Sequence, residues 1–332
     1  MVKFLIIRFS SIGDIVLTTP VIRGLKQQVD NAEVHFLTKP QFAGILAENP
    51  YIDKLLVLKE KLDDTIDEIN QEGYDYIIDL HHNLRTSVIK RKTGLISFSF
   101  DKLNFKKWLL VNFKINRMPD LHIVDRYLDT VKLFDVQDDG SGLDYFIPRA
   151  EEVIPEQMHA AFAKKYLVAV VGANHFTKQI PAEKLIALLN QSGIPVCLVG
   201  GKDVLESAAQ IEQALKVPFL NTVGKISLHQ SASFIRQAAA VITPDTGMMH
   251  IAAAFKKPVI SLWGNTIPEL GMYPYQADEK SKVFEVKGLS CRPCSKIGYE
   301  KCPKGHFKCM QNIDTQEVVK QIHFILNYED KE

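Results

Sequence analysis

The sequence has almost no net charge: 40 Lys and Arg stand against 39 Asp and Glu in 332 residues, a formal +1. A dedicated nucleic-acid binder carries a marked basic excess, so no nucleic-acid partner is expected. Long apolar runs are missing as well. None approaches the ~20 residues that cross a bilayer, and the N-terminal Phe4-Leu5-Ile6-Ile7 is followed at once by Arg8 rather than by a cleavage site. The expectation is a cytoplasmic protein. Glycine is scarce where a dinucleotide fold would need it. The loop after the first apolar run, Ser10-Ser11-Ile12-Gly13-Asp14, holds one glycine where G-x-G-x-x-G needs three, which removes the main support for an oxidoreductase. Cysteine is also scarce, five in all, and four of the five crowd into residues 291–309.

At 332 residues the chain exceeds the usual size of one domain, and two cores are expected. Val2 to Phe9 reads as a strand buried in a parallel sheet. Residues 33–37, 54–58 and 74–80 read as further strands, with helical segments at 41–48 and 62–72 between them and an amphipathic helix at 122–134. Such alternation predicts a doubly wound α/β class. A fresh buried strand, LVAVVGA from Leu167, opens the second half. The expected division is therefore 1–150 as a first domain, 151–166 as a connection, 167–312 as a second domain and 313–332 as a C-terminal helix.

The stretch Ala240 to Trp263, AVITPDTGMMHIAAAFKKPVISLW, is the most informative. It reads as strand, turn, helix, strand, with Pro244-Asp245-Thr246-Gly247 delivering a helix N-terminus. The unpaired N–H groups and the dipole of such an end favour phosphate; Thr246 adds a hydroxyl, Gly247 permits close approach, and His250 follows within one turn. An ordinary helix capped by Asp245 is the plain alternative. Elsewhere Lys178 precedes a helix that opens at Pro181, well placed to add charge to a phosphate. Gly200-Gly201-Lys202-Asp203 follows another strand and suggests Asp203 as a ribose ligand.

The run T-P-D-T-G-M-M-H-I-A-A-A with K-P-V-I-S-L-W-G-N-T resembles the nucleotide-sugar site of the heptosyltransferase family, bacterial enzymes of lipopolysaccharide inner-core synthesis. Two further motifs are similar to that family: S-x-G-D followed by T-x-P at Ser11 to Pro20, and a lysine three residues before a proline at Lys178 to Pro181. The resemblance implies the GT-B architecture, two Rossmann-like domains facing each other across a cleft. It implies inverting, metal-independent transfer from ADP-heptose to a lipopolysaccharide acceptor, with no cofactor required. Asp14 would be the catalytic base, whereas the residues alone also allow a helix cap. The donor would meet Lys178, Asp203, Ile226, Asp245, Thr246, Gly247, Met248 and His250. Ser11, Gly13, Asn83 and Arg85 are the acceptor-side candidates. Two other classes stay open: a sugar-nucleotide epimerase or hydrolase of the same fold, and a non-catalytic nucleotide-binding protein.

From His81 to Pro119 the charge is lopsided, with Arg85, Lys90, Arg91, Lys92, Lys102, Lys106, Lys107, Lys114 and Arg117 opposed only by Asp101. Phe98, Phe100, Phe105, Trp108 and Phe113 are interleaved with them. This suits an anionic, lipid-linked acceptor and peripheral contact with the inner membrane face, or else a solvated basic face with its aromatics turned inward. Cys291-x2-Cys294-x7-Cys302-x6-Cys309, with His306 inside the last interval, raises a structural zinc site, against packing thiols or a bridge. Cys197, alone in the apolar PVCLVG, reads as core filler.

Overall fold

The computed structural model describes residues 1–327; residues 328–332, including the end of the expected C-terminal helix at Tyr328, lie outside them. The chain divides into two compact units, Met1–Leu103 with Leu121–Phe146, and Asn104–Asp120 with the chain from Ile147 onward.

The first unit begins β1 (Val2–Ile7), α1 (Ile12–Val16), α2 (Thr19–Gln28), β2 (Ala32–Thr38), β3 (Lys54–Val57), α3 (Leu62–Glu72), β4 (Tyr76–Asp79), α4 (Leu84–Thr93) and β5 (Ile96–Ser99). The chain then forms α5 (Asn104–Phe113), which belongs to the second unit, and returns as α6 (Ile123–Leu128). The five strands are parallel in the order β3-β2-β1-β4-β5. Phe4 to Ile7 are wholly buried because β1 is central and covered on both faces, which is why it reads as an unbroken apolar run. Pro20 lies in the first turn of α2, where its missing N–H costs nothing, and the chain breaks between α1 and α2. Gly73, at φ +68°, ends α3 in the left-handed conformation that glycine adopts without strain.

The second unit continues with α7 (Pro155–Met158), β6 (Leu167–Val170), α8 (Ala182–Ser192), β7 (Val196–Val199), α9 (Leu205–Ala214), β8 (Phe219–Asn221) and α10 (Leu228–Gln237). It closes with β9 (Ala240–Pro244), α11 (Gly247–Ala254), β10 (Val259–Trp263), β11 (Lys282–Glu285), α12 (Lys308–Gln311) and α13 (Thr315–Leu326). Its six strands are parallel in the order β11-β10-β9-β6-β7-β8. Val318, Ile322 and Ile325 of α13 join the core formed by Leu185, Leu188 and Leu189 of α8, so the C-terminal helix is part of this unit.

Several expected boundaries shift. The division falls after Phe146 rather than at 150, and residues 151–166 cluster with the second unit. The basic stretch is split, because Leu110 of α5 finds its burial against Ile267 and Leu270 of the second unit. The helix expected over 122–134 stops at Leu128, where the Thr130 hydroxyl bonds back to the Tyr127 carbonyl at 2.6 Å, and resumes only as a 3-10 turn at Lys132–Phe134. Residues 41–48, expected as a helical segment, form a 3-10 helix over Pro40–Leu46. No helix among the described residues is long and apolar enough to cross a membrane.

Candidate active site

In each sheet the strand order reverses direction at one point, between β1 and β4 in the first and between β6 and β9 in the second. Loops leaving the carboxyl ends of such a strand pair diverge to opposite faces and open a crevice, the usual ligand position in open α/β sheets. Most of the candidate residues fall at these two places, whereas Asp203 and Ile226 follow β7 and β8.

In the second unit the loop after β6 brings Lys178, and the loop after β9 brings Asp245 to Gly247. Lys178 Nζ lies 2.6 Å from Asp245 Oδ2, with both side chains largely buried. The same carboxylate oxygen accepts from the Thr266 hydroxyl at 2.8 Å. Thr266 stands in Gly264-Asn265-Thr266, the loop after β10. The loops of three adjacent strands therefore meet at one carboxylate. Thr246, rather than Asp245, is the N-cap of α11, and its side chain makes no capping bond to the helix; its hydroxyl instead lies 3.1 Å from that of Thr243. The first N–H groups of α11 thus have no side-chain cap, and Lys178 adds a cation to the loops beside them.

The remaining donor candidates are placed less centrally. Met248 and Ile226 are half-buried, Ile226 standing directly before Ser227, the N-cap of α10. His250 is buried within α11 at 2% exposure. Asp203 is exposed in the turn after β7, one strand from the switch point, and its carboxylate folds over Gly201, where a Cβ would collide with it.

In the first unit the loop after β1 holds Asp14 at the third position of α1, in a capping box with Ser11. Asp14 Oδ2 accepts from the Ser11 hydroxyl at 2.9 Å and from its N–H at 3.2 Å. Oδ1 is 2.8 Å from Arg8 Nη2. Gly13 is buried in the helix beside it, and the Asp14 side chain keeps 21% exposure. Cap and candidate base are therefore the same group. Arg8 is buried and fully engaged: Nε donates to the Ser10 carbonyl at 2.7 Å, and Nη1 to the Leu80 carbonyl at 2.6 Å and the Tyr127 hydroxyl at 3.0 Å. Burial opposes its charge, but Asp14, Tyr127 and Asp79 together raise its pKa. Burial in turn raises the Tyr127 phenol, keeping it protonated. The Arg8 guanidinium thus offers Asp14 a fixed cation at every working pH.

After β4, His81 packs on Phe9 at 4.9 Å between ring centroids. Burial, reinforced by Arg8 and Lys102, lowers its pKa to about 4. Asn83 is the N-cap of α4, its side chain accepting from Thr86 N–H at 3.0 Å, and Arg85 is exposed on the first turn.

The four clustered cysteines are free thiols. Burial first, and then the nearness of Cys294, pushes Cys309 up to about 11; burial followed by Cys291 and Cys302 raises Cys294. Cys291 Sγ lies 3.8 Å from His306 Nε2. Among the described residues, no group of three or more His, Cys, Asp or Glu is arranged to hold a metal ion. Cys197 is buried in β7, as its apolar surroundings suggest.

The family described as glycosyltransferase family 9 (heptosyltransferase) matches residues 64–302. Lipopolysaccharide heptosyltransferase 1 of Campylobacter coli is 27% identical over 293 residues, covering 80% of this chain and 84% of its own. Lipooligosaccharide heptosyltransferase 2 of Haemophilus ducreyi is 24% identical over 355 residues, covering 98% and 99%. Among solved structures, a family 9 glycosyl transferase from Veillonella parvula superposes with a TM-score of 0.79 at 22% identity, covering 98% of both chains. The E. coli ADP-heptose lps heptosyltransferase II gives 0.74 at 19% identity, again over 98% of both. These likenesses identify the fold as GT-B, two Rossmann-like domains. With a family match running through both halves and both parallel sheets accounted for, the chain belongs to glycosyltransferase family 9, the heptosyltransferases.

Proposed function

We propose that this heptosyltransferase is an inverting enzyme that takes heptose from ADP-heptose and adds it to an anionic, lipid-linked saccharide of the lipopolysaccharide inner core. The observation that carries the donor half is the Lys178–Asp245 contact beside the uncapped N-terminus of α11. A diphosphate leaving group gains negative charge as its bond to the sugar breaks, and a fixed cation with aligned N–H groups stabilises that charge most in the transition state. The choice of donor and acceptor is supported by the relatives, which include an ADP-heptose enzyme and lipopolysaccharide enzymes.

Asp14 supplies the base in this reading. Its carboxylate takes the proton of the acceptor hydroxyl; the oxygen attacks the anomeric carbon from the face opposite the diphosphate, and the carbon–oxygen bond to phosphate breaks, releasing ADP. The Arg8 cation and the Ser11 donors hold the carboxylate in place. Lys178 and the helix end stabilise the negative charge of the leaving diphosphate in place of a metal ion, so transfer should proceed in EDTA. Contact with the cytoplasmic face of the membrane belongs to the same proposal. Its support is α5, which exposes Phe105, Trp108 and Phe113 among Lys106, Lys107 and Lys114.

The test incubates the enzyme with ADP-heptose and heptose-deficient lipopolysaccharide and follows ADP release together with the anomeric signal of the product by NMR. The expected result is ADP release that depends on acceptor, with inversion at the anomeric carbon. Consumption of ADP-heptose without acceptor would point to the hydrolase or epimerase class instead.

A further inference from the structure

From Val286 to Phe307 the chain runs without helix or strand, and this cysteine-rich segment has no part in the transfer described above. It is nevertheless bonded to the loops that form the donor site. Arg292, whose side chain is only 6% exposed, uses its two edges differently. Nη1 pairs with Glu285 at 2.7 Å and donates to the Val286 carbonyl at 3.2 Å. The opposite edge faces the loop after β10: Nε donates to the Gly264 carbonyl at 2.6 Å and Nη2 to the Thr266 carbonyl at 2.7 Å. A second tie lies at Tyr299, whose N–H donates to Thr177 Oγ1 at 2.8 Å and whose carbonyl accepts from Thr177 N–H at 3.1 Å. Thr177 directly precedes Lys178.

The two carbonyls held by Arg292 flank Asn265, so the guanidinium sets the path of the loop on both sides of that residue. The next hydroxyl, that of Thr266, donates to Asp245, and Asp245 holds Lys178. We infer that Arg292 is a positioning residue for the donor site: it fixes the Gly264–Thr266 loop and, through Thr266 and Asp245, the Lys178 ammonium. This rests on the donor-site reading above. Only a planar fork spans two carbonyls on one edge while pairing a carboxylate on the other; a lysine keeps the charge and loses the span.

The experiment measures ADP binding by calorimetry and donor KM for wild type, Arg292→Lys, Glu285→Gln and Lys178→Ala. Arg292→Lys should bind ADP about tenfold more weakly, with donor KM raised by a similar factor and kcat changed less. Glu285→Gln leaves the Nε–Nη2 edge on the loop, so it should lower the melting temperature while ADP affinity stays within about twofold of wild type. If Arg292→Lys does not fold, the double variant Glu285→Gln/Arg292→Gln removes both charges together and carries the same expectation for ADP. Wild-type ADP affinity in Arg292→Lys, alongside weakened binding in Lys178→Ala, overturns the inference and leaves the donor site standing. A reduced binding stoichiometry with unchanged affinity overturns it too, since that reports lost folded protein. Wild-type binding in Lys178→Ala overturns the donor-site reading itself, and the inference with it.

Discussion

Lys178 Nζ and Asp245 Oδ2, 2.6 Å apart, tie the loop after β6 to the loop after β9 at the point where the strand order of the second sheet reverses. Asp245 is 8% exposed and also accepts from Thr266, so its charge is compensated within the protein. The pair orders a cation beside the α11 N-terminus before any ligand arrives, which is the preorganisation that electrostatic catalysis requires.

Removing the cation leaves a buried carboxylate with the Thr266 hydroxyl as its remaining named partner. Lys178→Met should therefore destabilise the protein by about 1–3 kcal/mol, the range for a charge-assisted hydrogen bond in a partly buried site. Chemical denaturation checks this, and Lys178→Met/Asp245→Asn should recover part of the loss.

Asp14→Asn keeps the size of the side chain and abolishes its basicity. If the carboxylate takes the acceptor proton, kcat should fall by about 10²- to 10⁴-fold while ADP affinity stays within about twofold. Single-turnover transfer with donor in excess separates the two quantities. Arg8→Met should lower kcat in the same direction, because the fixed partner of Asp14 is gone.

How far the sequence reveals this depends on burial. β1, β6, β7, β9 and β10 are covered on both faces and stand out as apolar runs, whereas β5 (ISFS) and β11 (KVFE) are short sheet edges with no such run. Asp14, Lys178 and residues 245–247 lie in loops that follow strands, but it is the resemblance to the heptosyltransferase motifs that singles them out, since the residues alone equally allow caps and a solvated lysine. The role of Arg8 is not legible, although a lone arginine at the end of a buried run is a signal: its partners Leu80 and Tyr127 are distant in sequence. Arg292 is hidden among cysteines that point to metal chemistry, and the allegiance of α5 to the second unit depends on the packing of Leu110.

Arg23 is buried in α2 and holds Asp139 and Asp144. Its hydrogen bonds, against a smaller opposing effect of burial, lower Asp139 from 3.8 to about 2. A depressed carboxylate stabilises the fold above its unfolded pKa and loses that contribution as pH falls through the folded value. Asp139 is exposed, so solvent screens much of this effect: Asp139→Asn should cost on the order of 1 kcal/mol at pH 6, with the difference from wild type vanishing between pH 4 and pH 2. Urea melts across that range test it.

His81 stays neutral in the native state, its pKa lowered from 6.5 to about 4 by burial and by Arg8. The unfolded chain binds this proton below pH 6.5 and the native chain does not until about pH 4, so stability falls as pH drops through that window. Histidine NMR should show one ring that does not titrate between pH 5 and 8. His81→Gln should remove that signal and flatten the stability profile between pH 6.5 and 4.

Binding of a nucleoside diphosphate at the switch point of the second unit is tested by calorimetric titration of wild type and Lys178→Ala with ADP, UDP, GDP and CDP. Selective binding of ADP by wild type is expected, weakened at least about tenfold in Lys178→Ala. Absence of binding by any of the four, or ADP affinity indifferent to Lys178, would contradict it.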